Sequence, residues 1–400
     1  MRRLSAFLLL LSFEASAQLP DKVTLEEALR IVSEGPRVAA SQRDADAARA
    51  DRDAAGRFAN PSLSLGRSRP SGGERTIFDG DRQDQASLEL PVPIFGQRSA
   101  RVQVAERQVE RAQWQVQSTL GETKKSAALG FVRLLVAQEQ LALRLRARGE
   151  IERIRGIVSG RLENGMASRY DLARADAELS LASVGVQKAE AEVAEQAAAL
   201  AALAGVGGWR PQAQGSLESL RPTPPIDADA LLDRSPALQT ARAETRAAEA
   251  RIELAQRERF PVPSIGVART WTSGPFGAAN FLGVSSEIPL LDTRRAQEDK
   301  ARAEAAGARS RERAIEARLR ADLQRHLETL RARRAALERL RGGDTTFLEM
   351  AESAYRLGRA TLFELLDARR TQLEAADARL EVLGAIAESG IEIEAISGSL

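Results

Sequence analysis

Hydrophobic and polar positions change their period along this chain, and the same changes come round twice. Leu25, Ala28, Leu29 and Val32 fall on one stripe at helical spacing, so a helix is expected from Thr24 to Arg57, interrupted at Gly35-Pro36. Period two takes over after Pro61. Leu63 and Leu65 alternate with Ser62, Ser64 and Gly66, while Ala86, Leu88, Leu90 and Val92 alternate with Ser87, Glu89 and Pro91. From Ala100 to Arg161 the chain has no proline and returns to a helical pattern. Val102, Val109 and Val116 fall seven apart, with Ala105, Ala112 and Thr119 at the other seam position, which is a coiled-coil heptad with a small second residue. At 1.5 Å per residue such a helix is a rod of roughly 90 Å. After Gly165 a second helix, Arg169 to Leu203, is expected to return along the first.

The second round begins with a helix from Ala228 to Arg259, broken at Ser235-Pro236. Ile265, Val267 and Trp271 then alternate with Ser264, Gly266 and Thr270, and Leu282, Val284 and Ile288 share a face; Arg269 breaks the alternation. Leu319, Leu323, Leu330, Leu337 and Leu340 make the later helical seam, and Gly342-Gly343 with Gly358 bracket its reversal. Local wording recurs too. Asn-Pro-Ser-Leu at Pro61 returns as Val-Pro-Ser-Ile at Pro263, and Val-Pro-Ile at Pro93 returns as Ile-Pro-Leu at Pro289. A unit of about 200 residues is far longer than the roughly 20–50 residues of solenoid repeats, so this is a duplicated domain. The expected division is a leader at 1–17, a first repeat at 18–204 with its strand pair at about 61–93, and a linker at 205–226. A second repeat follows at 227–388 with its strand pair at about 262–290, then an irregular tail at 389–400.

The fold class is therefore mainly α with a small β part: long antiparallel coiled-coil helices plus two strand pairs. Each period-two run has the length of a membrane strand, yet an ordinary soluble hairpin would read the same way. The termini bear on the choice. Arg2 and Arg3, the apolar run Leu4 to Phe13 and the small residues Ala15-Ser16-Ala17 form a secretory signal, with Glu14 atypical within it. No later apolar stretch is long enough for a spanning helix. If the four strands of an exported chain lie in lipid, every edge amide needs a partner and the sheet must close. Single-chain bacterial barrels begin at about eight strands, so four would be completed by further copies of the same chain under cyclic symmetry. A membrane-anchored oligomeric tunnel is the expected result.

Composition narrows the function classes. A formal net charge of +2 without a concentrated basic face argues against nucleic acid. One histidine, His326, and no cysteine leave neither a nucleophile–His–acid set nor a metal motif, so neither an enzyme nor a cofactor is expected. His326 sits among the seam leucines and reads as a packed helix residue. The absence of cysteine also removes the attachment point of a lipoprotein. Two rivals remain. A periplasmic adaptor would carry one helical hairpin between Gly-rich β-domains, and a structural exported coiled coil would not need strand pairs recurring with the same prolines.

The stretch Tyr355-Arg356-Leu357-Gly358-Arg359-Ala360-Thr361-Leu362-Phe363-Glu364-Leu365-Leu366-Asp367-Ala368, with the prolines before Ile94 and Leu290, resembles the TolC-like outer-membrane factor family across the whole mature chain. The resemblance implies a homotrimer, a trimeric α-barrel with a shared twelve-strand β-barrel. It also implies docking onto a periplasmic adaptor (membrane fusion) protein and an inner-membrane RND-type pump, in the outer membrane of a Gram-negative bacterium. Glu364 and Asp367 match the acidic rings that narrow the periplasmic entrance, and Tyr355 and Asp171 match a pair that holds the closed state. Ala360 departs from the drug-efflux members, which carry an arginine there; Arg359 stands beside it. Acids in a first helical turn also stabilise the helix N-terminus, and Tyr355 also suits a half-buried packing site, so both readings stay open here. Phe95-Gly96-Gln97-Arg98 resembles the glycine-basic turn of the heavy-metal, CzcC-like branch.

Overall fold

A computed structural model describes residues 19–69, 82–220, 228–273, 277–341 and 347–400. The leader and the Gly342-Gly343 pair lie outside these residues. In chain order the elements are β1 (Lys22–Val23), α1 (Leu25–Ser33), α2 (Pro36–Ala55), β2 (Ser62–Ser68), β3 (Gln83–Pro91), α3 (Gln97–Glu163), α4 (Arg169–Ala204) and β4 (Gln212–Ala213). They continue with α5 (Ala228–Arg234), α6 (Pro236–Arg257), β5 (Ser264–Thr272), β6 (Ala278–Ser285), α7 (Arg295–Arg341), α8 (Phe347–Arg356) and α9 (Leu362–Ser397). Local chemistry sets the boundaries. Thr24 caps α1, its hydroxyl accepting from the Glu27 N–H (3.3 Å) while Glu27 Oε2 accepts from the Thr24 N–H (2.8 Å). Pro36 and Pro236 open α2 and α6, where the missing N–H would have had no helical partner.

The chain forms two compact units, each drawing segments from both repeats. Unit one comprises residues up to Val32, Ser126–Arg221 and Ala336–Ala387. Phe131, Leu134, Ile151, Leu200, Leu365 and Ile386 are its largest fully buried side chains among the described residues. Helices α3 and α9 approach so closely that a Cβ on Gly384 would come within 2.7 Å of Val136 Cγ2, so only glycine fits there. The described part of the linker, residues 205–220, is held down in this unit. Strand β4 pairs in parallel with β1, the Ala213 N–H donates to Gln138 Oε1 (3.0 Å), and Trp209 Nε1 donates to the Pro20 carbonyl (3.0 Å).

Unit two comprises Ser33–Lys125, Pro222–Ala335 and Glu388–Leu400. Its sheet has the order β2-β3-β5-β6, antiparallel throughout. The two strand pairs thus join through β3 and β5. Register puts Leu63, Leu88, Val267 and Leu282 in one row, and Leu90, Ile265 and Val284 in the next row on that face. These apolar residues are exposed, Leu282 and Val284 by about three quarters of their surface. The opposite face carries Ser62, Glu89, Gly266 and Gly283, then Ser64, Ser87, Ala268 and Phe281. Below the sheet, α6 and α7 pack through Ala248, Ala305 and Ala308, small residues that bring the helices close.

Three expectations need correction. Strand β6 stops at Ser285, so Ile288 lies beyond it, and Pro289, with no N–H to donate, does not continue the ladder. The reversal in the second repeat is not one turn: α8 intervenes before the chain turns at Gly358. The tail is not irregular either, since α9 continues through Ser397. Ile391, Ile393 and Ile396 are buried, and Arg333 donates to Ser389 Oγ at 2.6 Å. Tertiary burial of this apolar stripe, which a reading of the terminus by itself omits, holds it helical.

Candidate functional site

The four residues singled out from sequence all lie in unit one, around two glycine turns. At the first, Gly165 takes φ +73°, its N–H donates to Leu162 O (2.9 Å) and the Met166 N–H donates to Arg161 O (2.7 Å). At the second, Gly358 takes φ +72°, its N–H donates to Tyr355 O (3.0 Å) and the Arg359 N–H donates to Ala354 O (2.8 Å). Both are left-handed C-terminal caps that satisfy the last carbonyls of a helix. Three residues beyond each glycine a capping box starts the next helix. Ser168 and Asp171 close the first: the Ser168 N–H and hydroxyl both donate to Asp171 Oδ2 (2.9 and 2.7 Å). Thr361 and Glu364 close the second, the Thr361 N–H and hydroxyl donating to Glu364 Oε2 (2.7 and 3.0 Å).

These bonds set the electrostatics. The Ser168 hydroxyl, and then its backbone N–H, hold the Asp171 carboxyl below the ordinary aspartate range. The Thr361 backbone N–H, and then its hydroxyl, do the same for Glu364. Glu364 and Asp367 are both exposed, one turn apart at the start of α9. Tyr355 is 4% exposed and packs with Ile151, Ile154, Val158, Leu362 and Leu365. Burial pushes its hydroxyl up, with the nearby Arg161 charge acting the other way. Among the described residues no hydrogen bond joins Tyr355 to Asp171, whose carboxylate is occupied by Ser168.

Sequence reasoning missed Arg161. Its guanidinium lies 4.7 Å from the centre of the Tyr355 ring. Nη1 donates to the Tyr355 carbonyl and more weakly to Arg356 O (3.4 Å), while Nη2 donates to Met166 O (3.3 Å). Arg161 thus ties the first turn to the second. Arg359, the neighbour of Ala360, is exposed and makes no ion pair among the described residues. No sequence motif marks Arg161; its only signal is position, four residues before a turn glycine.

Chemically, the site offers exposed carboxylates beside two turns joined through Arg161. Among the described residues no group of three His, Cys, Asp or Glu could hold a metal ion. His326 lies on α7, half-buried beside Arg325; burial, then that positive neighbour, lower its pKa. Among the described residues no helix is long and apolar enough to cross a membrane.

The features in hand are an open-edged sheet with an apolar exposed face and long helices that reverse at glycine turns. The chain belongs to the outer membrane efflux protein family, whose pattern it matches over residues 30–206 and 228–399. It is therefore a transport channel rather than an enzyme. It is similar to the cobalt-zinc-cadmium resistance protein CzcC of Cupriavidus metallidurans, 28% identical over 334 residues, which are 79% of this chain and 77% of that one. It is also similar to the nickel-cobalt-cadmium resistance protein NccC of Alcaligenes xylosoxydans xylosoxydans, 30% identical over 314 residues, 75% of this chain and 68% of that one. Among solved structures, the outer-membrane channel OprN superposes with a TM-score of 0.79 at 21% identity, covering 94% of this chain and 90% of its own, a likeness of fold.

Proposed function

We propose that this chain is the exit duct of a tripartite efflux system in a Gram-negative bacterium, assembled as a homotrimer and passing metal cations out through the outer membrane. The observation that carries the reading is the sheet. Strands β2 and β6 are its edges among the described residues, and one face is apolar and exposed while the other is mostly small and polar, Phe281 excepted. Three copies joined edge to edge would close the ladder, turning the apolar rows to lipid and the polar rows inward.

The entrance reading rests on Glu364 and Asp367. Around a threefold axis they would form two stacked carboxylate rings, which favour cations over anions. Capping by Thr361 uses one Glu364 oxygen and leaves the other free to face the passage. Tyr355 and Asp171 then serve as the buried and capped supports of the two turns on which the rings stand. Met166, Tyr170 and Leu357 are all more than half exposed at the same turns, an apolar end suited to a periplasmic adaptor that links the duct to an inner-membrane RND-type pump. Metal cations as cargo agree with the resistance described for CzcC and NccC. With one histidine, no cysteine and three methionines, the chain has few soft ligands, so choice among metals would rest with the pump.

The test is conductance of the purified protein in planar bilayers with Glu364→Ala and Asp367→Ala. The cation-to-anion permeability ratio should fall severalfold in the double variant. An unchanged ratio would remove both acids from the entrance. A deletion strain should become sensitive to cobalt, zinc, nickel or cadmium salts; sensitivity to organic drugs alone would overturn the cargo.

A further inference from the structure

Arg269, which interrupts the apolar alternation of β5, is not absorbed by the channel reading. Register places it on the apolar face, in a row with Leu65, Ala86 and Asn280. The next row away from the helices is Arg67, Asp84, Trp271 and Ala278. There Arg67 pairs with Asp84 at 2.6 Å and Arg82 with the same carboxylate at 3.1 Å, so two guanidiniums share one acid. The Arg269 guanidinium sits 5.5 Å from the centre of the Trp271 ring and has no acidic partner among the described residues. Arg82 is also fixed through its backbone, whose N–H donates to Ser273 Oγ (2.9 Å).

Further aromatic contacts stand at the helix end of the sheet. Phe95 and Phe260 stack with ring centres 5.5 Å apart, and the Arg98 guanidinium lies 4.9 Å from the Phe58 ring. Strand β5, Ser264–Thr272, rises about 20 Å across the membrane at about 3.3 Å per residue and a tilt of about 40°, most of the apolar band of about 25 Å, flanked by aromatic girdles, that outer-membrane barrels present to lipid.

We propose that Arg269, with Arg82 and Arg67 behind it, forms a binding surface for phosphorylated lipid headgroups at the membrane boundary remote from the helices. The inference rests on the strands lying in lipid, as in the proposed function. Charge complementarity selects the occupant. Among the described residues the belt combines an aromatic ring at headgroup level with three guanidiniums to one carboxylate, and a guanidinium takes phosphate oxygens in a planar fork. Inward-facing rows at this level, such as Gly66, Gln85 and Thr270, carry no charge, so the excess is turned outward.

Native mass spectrometry of the full chain, released from micelles doped with phosphatidylglycerol or phosphatidylcholine, tests this. The wild type should retain phosphatidylglycerol in preference. Arg269→Gln should reduce that preference about fivefold, the equivalent of the ~1 kcal/mol that one basic side chain contributes at an anionic membrane surface. A combined Arg82→Gln and Arg269→Gln variant should reduce it about twenty-five-fold, and Arg269→Lys should keep most of it. Inorganic phosphate should not compete. A preference that survives the double variant, or that free phosphate abolishes, overturns the surface. Bilayer conductance and membrane fractionation of the same variants separate the two readings. Loss of lipid preference with conductance intact supports this surface, whereas a wild type that never enters the membrane fraction sinks the channel itself.

Discussion

In the first glycine turn the Met166 N–H reaches back to Arg161 O and Asp171 closes the box on Ser168; in the second the Arg359 N–H reaches back to Ala354 O and Glu364 closes on Thr361. The backbones follow one plan. The side chains do not. Arg161 of the first turn corresponds in position to Ala354 of the second, and Leu162 corresponds to Tyr355. The first turn therefore reaches out with a guanidinium, and the second receives it with two carbonyls and a buried ring. Duplication supplied a repeated reversal, and divergence at two positions made the copies interlock.

The largest way to break this pairing is Arg161→Ala. It removes charge-assisted bonds to the second turn, each worth about 1.5–3 kcal/mol. Hydrogen exchange of the amides from Tyr355 to Glu364 should show local opening made easier by about 2–3 kcal/mol, with the amides after Gly165 changed less. Lysine at Arg161 should recover less than half, since it lacks the planar fork. Equal protection of both turns in Arg161→Ala would end the claim that one turn holds the other.

Next come Gly165→Ala and Gly358→Ala. Both glycines occupy the left-handed region, where an L side chain costs about 1–2 kcal/mol. A Cβ at Gly165 meets nothing within 4 Å, and at Gly358 only Arg161 Nη2 at 3.8 Å, so the two variants should lose nearly equal stability on chemical denaturation. A large inequality would show that the backbones are not equivalent. Smaller still, Ser168→Ala and Thr361→Ala each remove one cap, at about 1 kcal/mol, read as loss of protection in the first turns of α4 and α9.

The smallest effect is one of pH. Asp171 and Glu364 both have folded pKa values below their unfolded ones. Each therefore contributes stability that is full above its unfolded value and lost as pH falls through its folded value. Acidification through the lower end of the carboxylate range should therefore loosen both turns. Thermal unfolding of wild type, Asp171→Asn and Glu364→Gln across that range checks this, with the acid sensitivity reduced in each variant.

Much of this was legible because it is local. Heptad spacing and the proline at Pro61 placed α3, α4 and the start of β2 to within a few residues. The glycines at 165 and 358 announced the turns, since few other residues accept their backbone angles. The four candidate residues were found by motif, and two of them, Asp171 and Glu364, turn out to cap helices. Arg161 was invisible because an arginine near a helix end is common, and its partner lies 194 residues away. Helix α8 and the last turns of α9 were missed for a related cause: short or terminal apolar stretches become helical when a neighbour buries them.

By itself the sequence determined what depends on near neighbours: where the period changes, where proline stops an element, where glycine lets the chain reverse, and that this order occurs twice. Tertiary structure decided what depends on partners distant in the chain: that β3 pairs with β5 to make one sheet, that Arg269 stands at the end of an apolar face, and that Arg161 rests on Tyr355. Backbone preferences are encoded over a few residues and can be read in place. A contact across two hundred residues depends on the geometry of everything between.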